Sequence, residues 1–322
     1  MNRKAIEKTE LNKILSLVAE YAALDGSRER LKSLSPETDL SAAKKSLELT
    51  EECVKLLFTY GVGKIEYFPP FADELERAAK GSALSCGELL SACSLLRAAR
   101  IAHSGIAGVT DEELKAVRVL ADRLYFDAAL EEDIQTKILS DTEVSDYASD
   151  RLYTIRREIR SLNERIRSRL AEYLTGEEGK YLQDGIVTMR DNRYVLPVRA
   201  EYKRNIKGFI HDRSASGATF FIEPEQVLEM NNELRSLAID EKEEVERILG
   251  ELSRRVGFMG KELVSDIEVL EELDGFYARA EYAYKLSSVK PSVNASGIVS
   301  FDCGRHPLIA VSYTHLTLPT IR

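Results

Sequence analysis

The fold turns on the stretch from Ser145 to Val256. Its first arm reads SDYASDRLYTIRREIRSLNERIRSRLAEYL over residues 145–174, and its last reads EQVLEMNNELRSLAIDEKEEVERILGELSRRV over residues 225–256. In the first arm Leu152, Ile155, Ile159, Leu162, Ile166 and Tyr173 follow helical spacing on one narrow stripe. In the last arm Val227, Met230, Leu234, Ala238, Val245, Ile248 and Leu252 do the same. A narrow stripe on a long helix suits one partner helix better than a broad core. Charge pairs the two arms. Residues 151–172 carry seven Arg against three Glu, and residues 225–251 carry nine acids against three bases. Antiparallel packing would set a basic flank against an acidic one. Exposed ion pairs contribute only about 0.2–1 kcal/mol each, so charge would fix register and partner more than stability. Thirty helical residues extend about 45 Å. The same pattern also suits an ordinary helical hairpin inside a larger bundle.

Between the arms, residues 181–223 change to a strand-like period. Ile186–Met189 and Tyr194–Val198 flank Asp191-Asn192, a predicted tight hairpin turn. Pro197 in the second run predicts an edge strand or a bulge. Lys207–His211 and Thr219–Ile222 are two further predicted strands, joined by Ser214-Ala215-Ser216-Gly217. Pro224 starts the returning helix, where a missing N–H costs nothing. This insert carries Arg190, Arg193, Arg199, Lys203, Arg204, Lys207 and Arg213 against five acids, interleaved with Tyr194, Tyr202, Phe209, Phe220 and Phe221. Basic and aromatic residues together grip phosphate and stack on bases. A solvated small sheet with an aromatic mini-core has the same composition. The expected nucleic-acid contacts are Arg190, Arg193, Lys203, Arg204, Lys207 and Arg213.

No catalytic, cofactor-binding or metal-ligating set emerges. His211-Asp212 beside Ser214 and Ser216 invites a triad, but adjacent strand residues point to opposite faces. Gly63-Lys64, Gly179-Lys180 and Gly260-Lys261 lack the spacing of a Walker loop. Glu241, Glu243 and Glu244 read as the solvated face of a helix. The cysteines Cys53, Cys86, Cys93 and Cys303 have no C-x-x-C spacing and read as reduced thiols.

Over 322 residues, 44% are apolar and 31% charged, as in a soluble helical protein. The net charge of −9 argues against a surface that coats nucleic acid throughout, and leaves room for a local basic patch. No run of about 20 apolar residues suits a membrane span. The start Met1-Asn2-Arg3-Lys4 lacks an apolar signal core, so a cytoplasmic location is expected.

Residues 1–140 read as helices joined by short loops. Ile6–Tyr21 is amphipathic and ends at Asp25-Gly26. Asp39 or Ser41 caps a helix to about Tyr60. Ser85-Cys86-Gly87-Glu88 is a capping box for a helix to about His103, and Thr110-Asp111-Glu112-Glu113 is a second, for a helix to about Leu124. After Val256 the chain stays helical to about Tyr284, with Gly257, Gly260 and Gly275 as places for bends or close packing. Pro291–Gly297 is a linker and Ile298–Phe301 a predicted strand.

Four pieces carry a resemblance. They are Thr9-Glu10-Leu11 with its helix, and Asp146-Tyr147-Ala148-Ser149 leading to Ile155-Arg156-Arg157-Glu158-Ile159-Arg160. The third runs from Arg193-Tyr194-Val195-Leu196-Pro197 through Ser214-Ala215-Ser216-Gly217-Ala218-Thr219 to Glu223-Pro224. The last is Gly304-Arg305-His306-Pro307. Over about residues 1–309 the chain resembles the MutS family, best its Smr-tailed bacterial paralogue, which lacks the mismatch-reading and connector domains.

The resemblance implies a mainly α fold. A helical core (1–143) would be followed by long antiparallel lever helices (144–258) with a small β-rich clamp (181–223) at their tip. Helices 259–297 would return to the core, and 298–309 would open an ATPase domain. The resemblance also implies, for the longer family protein, a homodimer using ATP and Mg²⁺ that closes its levers on nucleic acid. The target would be branched DNA in suppressing recombination, or the rRNA of stalled ribosomes in their rescue. Nuclease activity is placed in a C-terminal Smr domain. Residues 310–322 depart from the family pattern, so neither ATP hydrolysis nor nuclease activity is expected of this polypeptide. The alternative is a non-catalytic scaffold whose levers serve dimerisation without touching nucleic acid.

Overall fold

The computed structural model describes residues 8–300 and 304–308. Expectations for Met1–Lys4, Ile6, Phe301, Cys303, Ile309 and the tail at 310–322 lie outside the described residues. The described chain is mainly helical with two small antiparallel sheets. It divides into two compact units, the described residues up to 135 together with those from 252 onward, and residues 136–251. None of its helices is long and apolar enough to cross a membrane, among the described residues.

The first unit holds α1 (Leu11–Ala19), α2 (Asp25–Lys32), α3 (Leu40–Phe58), α4 (Ala72–Ala79), α5 (Cys86–Ala107), α6 (Lys115–Ala121) and most of α7 (Ala128–Lys137). All but the last pack on one helix, Gly260–Lys285, numbered α10 in chain order. Buried acids on the helices finish the ends of their neighbours. Asp274 of α10 accepts the backbone N–H groups of Ala23 and Leu24 at 3.0 and 2.9 Å, where α2 has no side-chain cap of its own. Burial raises the Asp274 pKa, and those two bonds oppose the rise.

Glu52 of α3 accepts the N–H groups of Ala116 and Val117 at 3.2 and 2.8 Å, at the opening of α6. That bond stands where the sequence suggested a second capping box. Asp111 is instead engaged by Glu113 N–H and the Tyr60 hydroxyl, and α6 opens only at Lys115 and ends at Ala121. The box at Ser85 does form, and Asp39 does cap α3. Gly257 packs tightly: a Cβ there would lie 2.4 Å from the Ala78 carbonyl oxygen. Gly275 shows neither close packing nor a break, since open space surrounds its missing Cβ within an unbroken helix. Residues 298–300 form no strand.

The second unit begins with a small hairpin, β1 (Ile138–Ser140) and β2 (Glu143–Val144), that the sequence did not announce. A 3-10 turn at Asp146–Ala148 precedes α8, Asp150–Thr175, whose 26 residues extend about 39 Å. Ser149 is its N-cap, accepting the Leu152 N–H at 3.0 Å. The returning helix α9 is Glu225–Phe258. The two helices run antiparallel. Ser149 meets Glu244, Arg156 meets Glu241, and Leu162, Ile166 and Leu170 share a core with Val227 and Leu234. The predicted stripes therefore bury, with Leu170 added to the first. Ala238 is exposed, and Leu237 packs in its place.

Four strands join the helices: β3 (Thr188–Arg190), β4 (Arg193–Arg199), β5 (Gly208–Arg213) and β6 (Thr219–Pro224). Their order is β3-β4-β6-β5, all antiparallel. Asp191 and Asn192 have φ of 49° and 59°, the left-handed pair that a type I′ hairpin turn requires. One face of the sheet, carrying Tyr194, Leu196, Val198, Phe220 and Ile222, packs on the core residues of α8 and α9. Pro197 lies in an interior strand, a correction to the edge expectation. It is tolerated because β3 pairs only as far as Thr188 with Val195. Beside Pro197 that flank is covered by the Leu182–Val198 bridge and by Gln183, whose N–H donates to the Pro197 carbonyl at 2.8 Å.

Candidate nucleic-acid interface

Strand β5 is an edge of the sheet, and Phe209 and Ile210 on it are 56% and 53% exposed. The strand starts at Gly208 because nothing larger fits: a Cβ there would lie 2.0 Å from the Glu223 carbonyl oxygen. A register shift between Ile210 and Asp212 bulges the strand at His211.

The six predicted contact residues are not equivalent. Arg193 points inward. Its Nη1 donates to Glu223 Oε1 at 2.7 Å, its Nη2 donates to Asn232 Oδ1 at 2.6 Å, and its side chain is 14% exposed. Glu223 is fully buried and also receives Asn231 Nδ2 at 2.7 Å, while His211 Nε2 meets its other oxygen. Burying a carboxylate demands a partner of this kind, so Arg193 balances the sheet interior. Arg190 lies over the Phe221 ring at 4.2 Å with its Nε 3.5 Å from Asp212. Lys203 is exposed above the Phe220 ring at 5.1 Å. Arg204, Lys207 and Arg213 are exposed, and their side chains carry no ion pair among the described residues.

Register separates these groups. Arg199 pairs with Thr219 and Arg213 with Phe220, so both stand at the end of the sheet closed by the loop at 214–218. Gly208 pairs with Pro224, which puts Lys207 at the opposite end. Arg199, exposed and without an ion pair among the described residues, was counted in the sequence but not singled out. Two of the insert's five acids are consumed, Glu223 by Arg193 and Asp212 by Arg190.

Glu244 corrects the reading of the acidic run on α9. It is 1% exposed, accepts the Ser149 hydroxyl at 2.7 Å and Arg247 Nη2 at 2.8 Å, and lies 3.7 Å from Arg151. Arg247, then Ser149 and Arg151, hold its pKa down at about 2 against the cost of burial. Glu241 is likewise engaged, by Arg156 Nε at 2.7 Å. Predicted charge pairing across the helices thus appears at two places.

Of the three Gly-Lys pairs, Lys64 is bridged to Glu281 at 2.5 Å, Lys180 lies over the Tyr181 ring, and a Cβ at Gly260 would meet Ala79 at 3.5 Å and the Leu75 carbonyl oxygen at 3.7 Å. No group of three or more His, Cys, Asp or Glu among the described residues is arranged to hold a metal. His211 turns to Glu223 rather than to a serine.

No protein-family model matches the chain. Curated relatives do. The chain is 38% identical over 312 residues to Endonuclease MutS2 of Clostridium beijerinckii, covering 96% of this chain and 39% of that protein. It is 39% identical over 312 residues to Endonuclease MutS2 of Agathobacter rectalis, covering 96% and 39%. The Geobacillus thermodenitrificans protein of the same name is 39% identical over 312 residues, covering 96% and 40%. The chain spans about 39% of the length of the curated relatives it matches. Across almost all of its residues, this chain is homologous to the MutS2 proteins.

Proposed function

We propose that residues 136–251 act as a lever and clamp that contacts nucleic acid within a MutS-like protein. The observation that carries this is the exposed, unpaired state of Lys203, Arg204, Lys207 and Arg213 on a chain of net charge −9. Cations left free on an acidic protein suit a polyanion, because each phosphate they neutralise releases counterions. Arg190 is a further contact by this reading, already flattened on Phe221. Arg193 serves by holding the sheet in shape.

The targets that fit are branched DNA, in suppressing recombination, and the rRNA of stalled ribosomes, in their rescue. A homodimer, ATP, Mg²⁺ and the nuclease activity in the relatives' names would belong to a longer protein. No residue described in this chain is assigned to them. The test replaces Lys203, Arg204 and Lys207 with Ala and follows binding to a four-way DNA junction and to ribosomes by gel shift. Weaker binding with a flatter salt dependence is expected. A chain that self-associates in light scattering but shifts neither target would be a scaffold instead.

A further inference from the structure

We propose that the end of the sheet closed by the β5–β6 loop grips the backbone phosphates, with Arg199 and Arg213 as its two jaws and Lys203 beside them. The proposal rests on the nucleic-acid reading above and says where on the sheet the polyanion is held. Register provides the geometry. Arg199 and Arg213 are paired with consecutive residues of β6, Thr219 and Phe220. Neighbouring strands lie about 4.8 Å apart, so the two arginines start about 10 Å from each other across β6. Consecutive strand residues face opposite ways, so the jaws leave the sheet on opposite faces and bracket its end. Lys203 lies over Phe220, the residue opposite Arg213.

The loop between the jaws is small and offers donors. Ala215, Ser216 and Gly217 put no bulk in the way of a phosphate chain. Gly217, at φ +73°, tightens the turn by donating its N–H to the Ser214 carbonyl at 2.8 Å. Ser214 and Ala218 also spend their N–H groups inside the loop, on Thr219 O and Ser216 Oγ. The N–H groups of Ala215 and Ser216 have no partner among the described residues. Opposing charge is sparse: Glu201 is the one carboxylate in the β4–β5 connection, and Asp212 lies 3.5 Å from Arg190 through one oxygen while its other accepts the Arg213 N–H at 2.7 Å. At the other end of the sheet Arg193 is spent on Glu223 and Arg190 is stacked and bridged, which leaves Lys207 exposed there.

The experiment compares two double variants of the 322-residue chain. Arg199→Gln with Arg213→Gln removes the jaws, and Arg190→Gln with Lys207→Gln removes two cations elsewhere on the sheet. Fluorescence anisotropy follows binding of a labelled four-way DNA junction and, separately, of a ribosomal RNA fragment, across a salt series. Each lost phosphate contact lowers the slope of log K against log salt by about 0.9 on B-form DNA. The jaw variant should therefore lose about 1.8 from its slope, and about thirty-fold in affinity at 0.15 M salt. The other pair should lose half of that or less.

Arg199→Lys with Arg213→Lys keeps the charge and should keep the slope. Thermal melting identifies any variant that fails to fold, and the single variants Arg199→Gln and Arg213→Gln, each expected to lose about 0.9 from the slope, then carry the comparison. If the jaw variant binds like the parent while the other pair weakens binding, the site is misplaced though the nucleic-acid reading stands. If the parent chain binds neither probe, that reading fails and this one with it.

Discussion

The hydroxyl of Ser149 donates to the carboxylate of Glu244 at 2.7 Å while accepting the Leu152 N–H, so one side chain both caps α8 and ties it to α9. Removing either end of that tie should loosen the helix pair. Glu244→Gln, which discards the charge felt by Arg247 and Arg151, should cost about 1–3 kcal/mol in urea unfolding at pH 7. The Glu244 pKa is about 2 in the folded protein against an ordinary 4.5. Its contribution is therefore complete above about pH 4.5 and is lost as pH falls towards 2. The stability gap between parent and variant should narrow over that window, and a gap unchanged from pH 7 to pH 2.5 would disprove the assignment.

Arg193→Ala should be among the most damaging changes to the sheet. It takes the guanidinium from the fully buried Glu223 carboxylate, leaving only Asn231 and His211 on it, and breaking such a pair from one side costs about 3–5 kcal/mol. Replacing both partners, as Arg193→Met with Glu223→Leu, should cost much less. Amide hydrogen exchange in β5 and β6 distinguishes the two, with faster exchange expected only in the single variant. Equal exchange in both would show that the pair does not hold the strands.

In the first unit, Asp266 is fully buried, and only one of its oxygens has a partner, the Tyr125 N–H at 2.8 Å. Burial pushes its pKa up to about 7 from 3.8, against the pull of the Tyr125 bond. Unfolding then releases a proton between those values, so stability should fall as pH rises from about 4 to about 7, by at most about 1.4 kcal/mol per pH unit. Asp266→Asn removes that term. Urea midpoints of the variant relative to the parent should climb across this range and level off above it; a difference independent of pH would contradict the assignment.

The helix pair was legible in the sequence because its signal is periodic. Leu152, Ile155, Leu162 and Ile166 announce a buried stripe, and Asp191-Asn192 announces its turn. Glu244 was not legible. In a run of acids it looks solvated, and only the Ser149 cap, ninety-five residues away, makes it a buried partner. The partner of Arg193 was hidden for the same reason, since nothing local tells a cation aimed at a buried carboxylate from one aimed at solvent. Glu52 capping α6 is a third long-range bond that pattern cannot show. That Arg199 and Arg213 stand at the same end of the sheet follows from strand order, and β6 lies between them only because the order is β3-β4-β6-β5. Two-residue and three-residue strands such as β2 and β1 are too short for any alternation to register.

The contact between the sheet's cations and nucleic acid is tested most directly by the salt dependence of the parent chain's affinity for a four-way DNA junction and for ribosomal RNA. The expected result is binding that falls linearly in log K against log salt, with a slope of magnitude about 3 to 5 from the free cations of the sheet. Affinity that is absent at low salt, or that does not change with salt, would contradict it.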